Sequence, residues 1–203
     1  MMHMHYSQEQ TLVVIKPDGV QRSLIGDIIK RFEITGLKLV GLKLLQPTES
    51  FVTSFYTLDA MWLENVGKKA ISAYVDKGKT PPTEHPQEAG QVILDRLNVY
   101  MTTSPVVAMV WQGMNAVAIG QKITGSTEPL TSDVGTIRGD FVIDSYAAAN
   151  KDIRAVRNVV HRSGSIDEAK EEVKLWFTES EVLDYRLVQE QILYDVNVDG
   201  EKE

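Results

Sequence analysis

Set aside one long helical stretch, and the apolar runs of this chain follow one another as strand, helix, strand, strand, helix, strand. Few folds accept that order. Residues 11–16, TLVVIK, are β-branched and apolar up to a lysine, then stop at Pro17-Asp18-Gly19, which reads as a buried strand closed by a turn. Ile25, Ile28, Ile29 and Phe32 mark one face of a helix that Gly36 ends. Residues 37–45 form a second, mostly apolar strand before Pro47. Residues 50–102 read as helical with a single interruption, the proline-rich KGKTPPTEHP at 77–86, so that roughly 59–76 and 87–101 make a hairpin. SPVVAMVW (104–111) is a third strand, NAVAIGQKI (115–123) a helix and GSTEPLTSDVGTIRGD (125–140) a polar loop. FVID and RNVV flank the Ala-rich SYAAANKDIRAV (145–156). The helix SIDEAKEEVKLWF follows, with Ser165 at its N-cap and Glu168 three residues on, the pattern of a capping box. The expected fold is α+β, a ferredoxin-like βαββαβ sandwich on a four-stranded antiparallel sheet. It carries extra helices and a C-terminal extension with a loose polar end, VNVDGEKE. One domain over 1–203 is expected, with insertions at about 59–99 and 145–156.

The function classes narrow with charge. The net charge of −7 argues against a general nucleic-acid binder, which usually presents a basic face. A local group of cations inside an acidic protein still suits an anionic small molecule. No apolar run is long enough to cross a bilayer, and the first ten residues lack the basic-then-apolar pattern of a secretory signal. With no cysteine, disulfides and thiolate metal sites are excluded. A cytoplasmic protein is expected.

The reactive candidate lies in RNVVHRSGS (157–165), where His161 follows a β-branched pair and precedes a helix start. On that helix Ile166, Ala169, Val173, Trp176 and Phe177 define the buried arc, and Glu172 falls beside it on the side of Ser165. A half-buried carboxylate there would reach back to His161 and hold one tautomer, leaving the other ring nitrogen bare and aimed. Taken singly, each residue has a plainer reading: Lys16 as a strand-end lysine, Arg138 as a loop arginine, Asn158 as a turn residue, Tyr56 as core. GKT at 78–80 resembles the end of a phosphate-binding loop, but the required glycine is Ala73, no strand precedes it, and two prolines follow. No Asp, Glu and His stand at metal-ligand spacing; His3 and His5 are a pair in the N-terminal stretch.

Together, VVIKPDGVQR (13–22), SPVVAMVWQG (104–113), GTIRGDF (135–141), NVVHRSGS (158–165) and EEVKLWF (171–177) resemble nucleoside diphosphate kinases, in order, over about residues 10 to 186. The resemblance implies reversible transfer of the γ-phosphate from a nucleoside triphosphate to a diphosphate, by a ping-pong route through a phosphohistidine at His161. It implies Lys16 and Arg138 as phosphate ligands and Thr127 as a phosphate contact. Tyr56 and Asn158 become polar supports, and Ser163 and Glu172 position the histidine. Arg138 would grip two phosphate oxygens while Lys16 acts as a point charge. Mg²⁺ would bridge phosphate oxygens rather than sit in a protein cage. A homo-oligomer, hexamer or tetramer, is implied, with neither nucleic acid nor membrane as partner.

The chain departs from the family pattern in places. The usual Gly-Ser-Asp after the histidine is Arg162-Ser163-Gly164, and a customary arginine is Gln121, with Lys122 next to it as a substitute phosphate contact. The hairpin is longer than expected, and Trp62 or Tyr74 is the candidate for stacking on the base. Gln121 and Arg162 motivate a second reading, a non-catalytic nucleotide-binding or scaffold protein of the same fold. A nucleic-acid module ranks lower, because the sheet aromatics it needs are missing.

Overall fold

The computed structural model describes residues 8–76, 78, 80–195 and 197–199. His3, His5, Lys79 of the GKT stretch and the end of the polar tail lie outside the described residues. Strands β1 (Gln10–Ile15), β2 (Lys38–Leu45), β3 (Val106–Gln112) and β4 (Val160–Arg162) form an antiparallel sheet in the order β2-β3-β1-β4. This is the ferredoxin-like arrangement. Helices α1 (Pro17–Gln21), α2 (Ile25–Glu33), α3 (Glu49–Tyr56), α4 (Trp62–Val75) and α5 (Pro86–Thr102) precede β3. After it come α6 (Ala116–Thr124), α7 (Ile137–Phe141), α8 (Tyr146–Lys151), α9 (Ile166–Trp176) and α10 (Glu190–Leu193).

The sheet is buried on both faces, which explains why β1 and β3 read as continuous apolar runs. Val13 and Ile15 of β1 pack with Ile28 and Phe32 of α2 on one face. Leu12 and Val14, pointing the other way, pack with Val52 and Phe55 of α3, Met101 of α5 and Trp176 of α9. Val14 pairs with His161 in register, so the histidine projects to the α3/α9 face, while Arg162, opposite Val13, projects to the other.

Three boundaries differ from the sequence expectation, each for a local reason. The helical run 50–102 has a second break: Asp59 Oδ1 accepts the Met61 N–H at 2.9 Å, an Asx turn that separates α3 from α4. Residues 137–141 are not loop but one helical turn, capped by Thr136, whose Oγ1 accepts the Gly139 N–H. The last strand starts at Val160 rather than Arg157 and carries His161 at its centre. Val159 is the cause, because its φ of +51° and the Val160 N–H to Asn158 C=O bond of 2.6 Å make a γ-turn that no strand residue adopts. FVID makes no strand; only Phe141 is in an element, the end of α7.

The hairpin of α4 and α5 crosses at two glycines. A Cβ on Gly67 would lie 1.8 Å from the Pro86 carbonyl oxygen, and one on Gly90 would lie 2.1 Å from that of Leu63. Thr53 and Asn98 exchange side-chain hydrogen bonds, 3.0 Å for Asn98 Nδ2 to Thr53 Oγ1, and tie the hairpin to α3.

Candidate active site

Strands β1 and β4 end side by side, and the γ-turn locks them: the Lys16 N–H donates to the Val159 carbonyl at 2.8 Å. Left-handed backbone at a β-branched residue costs about 1–3 kcal/mol, and here it stands two residues from the histidine. Gly19 fits against this turn; a Cβ there would come within 3.1 Å of Val159 O and 2.7 Å of Ile15 Cγ2.

The imidazole is held by a carboxylate and by an aromatic ring. Nε2 faces Glu172 Oε1 at 2.7 Å, and the ring stands edge-on to Phe55 with centroids 4.8 Å apart. Ser163, fully buried, donates its hydroxyl to Glu172 Oε2 at 2.6 Å and accepts the Leu12 N–H at 3.1 Å. Burial pushes the Glu172 carboxyl up, but the charge of and hydrogen bond from His161, the Ser163 hydroxyl and Glu168 outweigh it, and the group ends below its ordinary value. Facing a carboxylate, Nε2 carries the hydrogen, and Nδ1 is left without a hydrogen bond among the described residues, on a side chain 16% exposed.

Two buried cations lie opposite. Lys16 Nζ donates to Asn158 Oδ1 at 2.7 Å and sits 5.6 Å above the Tyr100 ring, whose hydroxyl in turn bonds to Asp18. Burial first, then the charge of Arg138, pull the Lys16 ammonium down to about 7, against the opposing pull of Asp18. Arg138 donates from Nε to Asn158 O (3.2 Å), from Nη1 to Gly125 O (3.1 Å) and Ser126 O (2.8 Å), and from Nη2 to Val160 O (2.7 Å). Four of its five N–H groups are therefore spent on backbone, so the expected two-pronged grip on phosphate is replaced by a positive charge with one donor to spare. Burial, then Arg162, lower its guanidinium to about 10. Arg31 of α2 holds this segment from behind, bonding to Gly135 O at 2.8 Å and to Asp140. Asn158 joins the two cations, and its amide nitrogen donates to Thr127 O at 3.0 Å.

Tyr56 contributes a buried hydroxyl with no partner among the described residues; burial and then the charge of Glu172 push its pKa up. Thr127 is brought to the rim with its side chain exposed. Lys122 is not brought in. It is exposed on α6, about 160° from the arc of Gly120 and Thr124 that faces the sheet. Gln121 turns towards the site instead, donating to Gly164 O at 2.7 Å. Trp62 lies beside Tyr56, ring centroids 5.4 Å apart, whereas Tyr74 is about 18 Å further along the same helix.

Four participants escaped the sequence reading: Phe55, Tyr100, Asp18 and Glu168. Asp18 lies inside the 13–22 motif and Phe55 adjoins Tyr56, a weak signal; Tyr100 arrives from α5 and had none. The fold also assembles one metal-capable group among the described residues, His161, Glu168 and Glu172, with ligand atoms within 4.8 Å of one another. A cleft of about 980 Å³ between α1, α5 and 141–157 shares Asp18 and Tyr100 with the site but is lined by none of His161, Lys16 and Arg138.

A bare imidazole nitrogen braced by a carboxylate and confronted by two buried cations suits phosphoryl capture. The nucleoside diphosphate kinase family model matches residues 9–64 and 83–182. The chain belongs to the nucleoside diphosphate kinase family. Among its relatives is the kinase of Pyrobaculum aerophilum, 43% identical over 180 residues, 87% of this chain and 98% of that one. The crystal structure of an NDP kinase from P. aerophilum superposes with a TM-score of 0.84 at 42% identity, over 87% of this chain and 100% of that one. A nucleoside-diphosphate kinase from Borrelia burgdorferi, with vanadate and ADP bound as a transition-state mimic, superposes at 0.75 and 31% identity, over 92% and 96% of the two chains. The family match leaves out 65–82, most of α4 and part of the proline-rich turn, and runs unbroken through 145–156. This kinase is thus a nucleotide phosphotransferase.

Proposed function

We propose that His161 carries the phosphoryl group in a two-step exchange between nucleoside triphosphates and diphosphates. The supporting observation is the pairing of Nε2 with Glu172, which leaves Nδ1 as the free nucleophile. In the first half-reaction the Nδ1 lone pair attacks the γ-phosphorus, the bond to the β–γ bridging oxygen breaks, and the diphosphate leaves with that electron pair. The ring gains positive charge as the N–P bond forms, and Glu172 offsets it. The second half-reaction is the reverse with another diphosphate, so one nucleotide site serves donor and acceptor.

Lys16, the remaining Arg138 donor and the unpartnered Tyr56 hydroxyl meet the charge spread over the phosphoryl oxygens, and Thr127 and Asn158 line the approach. The vanadate and ADP held by the Borrelia relative support a polyphosphate in this place. The phosphate side of the site offers cations and hydroxyls, with Asp18, held by Tyr100, its single carboxylate among the residues described above, a donor set that fits Mg²⁺ arriving on the nucleotide rather than caged by protein. Of the two candidate aromatics, Trp62 is the one we propose packs against the base, because it lies beside Tyr56. We further propose a homo-oligomer, hexamer or tetramer, working in the cytoplasm; no helix among the described residues is long and apolar enough to cross a membrane. Activity in relatives this similar disfavours the scaffold reading.

The test is covalent labelling with γ-³²P-ATP and Mg²⁺, then discharge onto added diphosphates. His161→Ala should lose all label and turnover; persistent label would overturn the assignment of the nucleophile.

A further inference from the structure

We propose that Arg162 is a substrate-binding residue that holds the β-phosphate of the nucleotide, the phosphate next to the one transferred. The inference rests on the nucleotide site proposed around His161. Arg162 adjoins that histidine on β4 but projects to the opposite face of the sheet, where Val160 packs with Ile137. Arg138 reaches the same short strand, donating to Val160 O at 2.7 Å. The two guanidinium groups are therefore anchored two residues apart, about 6.6 Å along one strand. The last turn of α6 runs beside both. Gly125 and Ser126 at its end accept Arg138, and one turn earlier Gln121 donates to Gly164 O at 2.7 Å. A Cβ on that glycine would lie 3.7 Å from Arg162 Nη1, which puts the guanidinium at this junction.

Arg162 uses its donors in the opposite way to Arg138. Among the described residues it makes one long hydrogen bond, 3.4 Å from Nη1 to Ser163 O. Its Nε is buried without a partner, and Nη2 has none either. Four of its five N–H groups are thus open, and Nε with Nη2 forms the fork that takes two oxygens of one phosphate. Burial lowers the guanidinium, and Glu168 and Glu172 attract it, yet neither carboxylate comes within ion-pair distance. Burial aside, Arg162 is the charge that acts most on Arg138, and Arg138 the one that acts most on Lys16. The three cations form one row. A polyphosphate whose terminal phosphorus meets Nδ1 extends away from Glu172 and along that row, so that Lys16 meets the γ-phosphoryl and Arg162 the phosphate behind it. Gln121 stands where the family usually carries an arginine, and its amide is spent on Gly164 O. The cation missing from α6 is supplied by β4.

The experiment measures ADP and AMP binding by calorimetry, with Mg²⁺, in the parent protein, Arg162→Met and Arg162→Lys. AMP lacks the β-phosphate and serves as the internal control. Arg162→Met keeps the apolar stem and should weaken ADP about tenfold but AMP less than about twofold. Arg162→Lys keeps the charge without the fork and should weaken ADP about threefold; it carries the test should Arg162→Met fail to fold. In single-turnover phosphorylation by ATP, Arg162→Met should lose more in half-saturating concentration than in limiting rate. Parental ADP affinity in both variants, or equal losses for ADP and AMP, overturns the proposal. A loss confined to the limiting rate also overturns it, because Arg162 would then act by bracing Glu172. A parent protein that binds no ADP would instead overturn the nucleotide site itself.

Discussion

Lys16 is held buried at a pKa of about 7, far below an ordinary lysine. Between pH 7 and about 10.5 the unfolded chain then binds a proton that the folded chain has released, so this residue's contribution makes stability rise with pH across that window. Below 7 the folded protein keeps a buried ammonium and bears the full penalty. Lys16→Met should accordingly raise the melting temperature most below pH 7, with the gain fading towards pH 10, while abolishing transfer. A polyphosphate beside Lys16 restores the ammonium, so at pH 8 diphosphate binding should take up a proton. Calorimetry in buffers of different ionisation enthalpy reads this directly, and buffer-independent heats would contradict it. Ser163 is a second residue with a measurable share: Ser163→Ala leaves the buried Leu12 N–H without its acceptor and Glu172 Oε2 without its donor, at about 1–3 kcal/mol of stability by denaturant titration.

At the level of elements, the α4–α5 crossing makes a sharp prediction. Gly90→Ala gains about 1 kcal/mol of helix propensity but drives a methyl into the Leu63 carbonyl, which overpacking puts at about 1–3 kcal/mol or more. Hydrogen exchange should quicken in α4 while β1 and β3 stay protected. The contrast between elements also explains what could be read from residues alone. Strands β1 and β3 were legible because a sheet buried on both faces demands uninterrupted apolar, β-branched runs. The helix carrying Glu172 was legible because its period singles out one face. Strand β4 was misplaced by three residues because nothing in RNVV announces a γ-turn at valine; tertiary contacts impose it. Arg138 was given a two-oxygen grip on phosphate by resemblance and a loop role by residue type, and neither reveals that four backbone carbonyls converge on it. Glu168 was read as the second half of a capping box on Ser165, and its carboxylate instead takes the Gly164 N–H, a choice residue type does not announce.

For the molecule as a whole, β2 is an edge strand with Leu42 and Leu44 exposed, 51% and 64%, and the remaining edge, β4, is too short to template pairing. Leu42→Lys with Leu44→Lys should lower the assembly mass by light scattering if copies meet there, with phosphohistidine formation retained. Beyond assembly, the way the two cations are held limits what can be transplanted. Lys16 leans on the Asn158 amide, and Arg138 on the carbonyls of residues 125, 126, 158 and 160. A designer who copied only the named side chains onto another scaffold would obtain two unsupported, water-seeking cations; the portable unit is the knot of main chain that holds them.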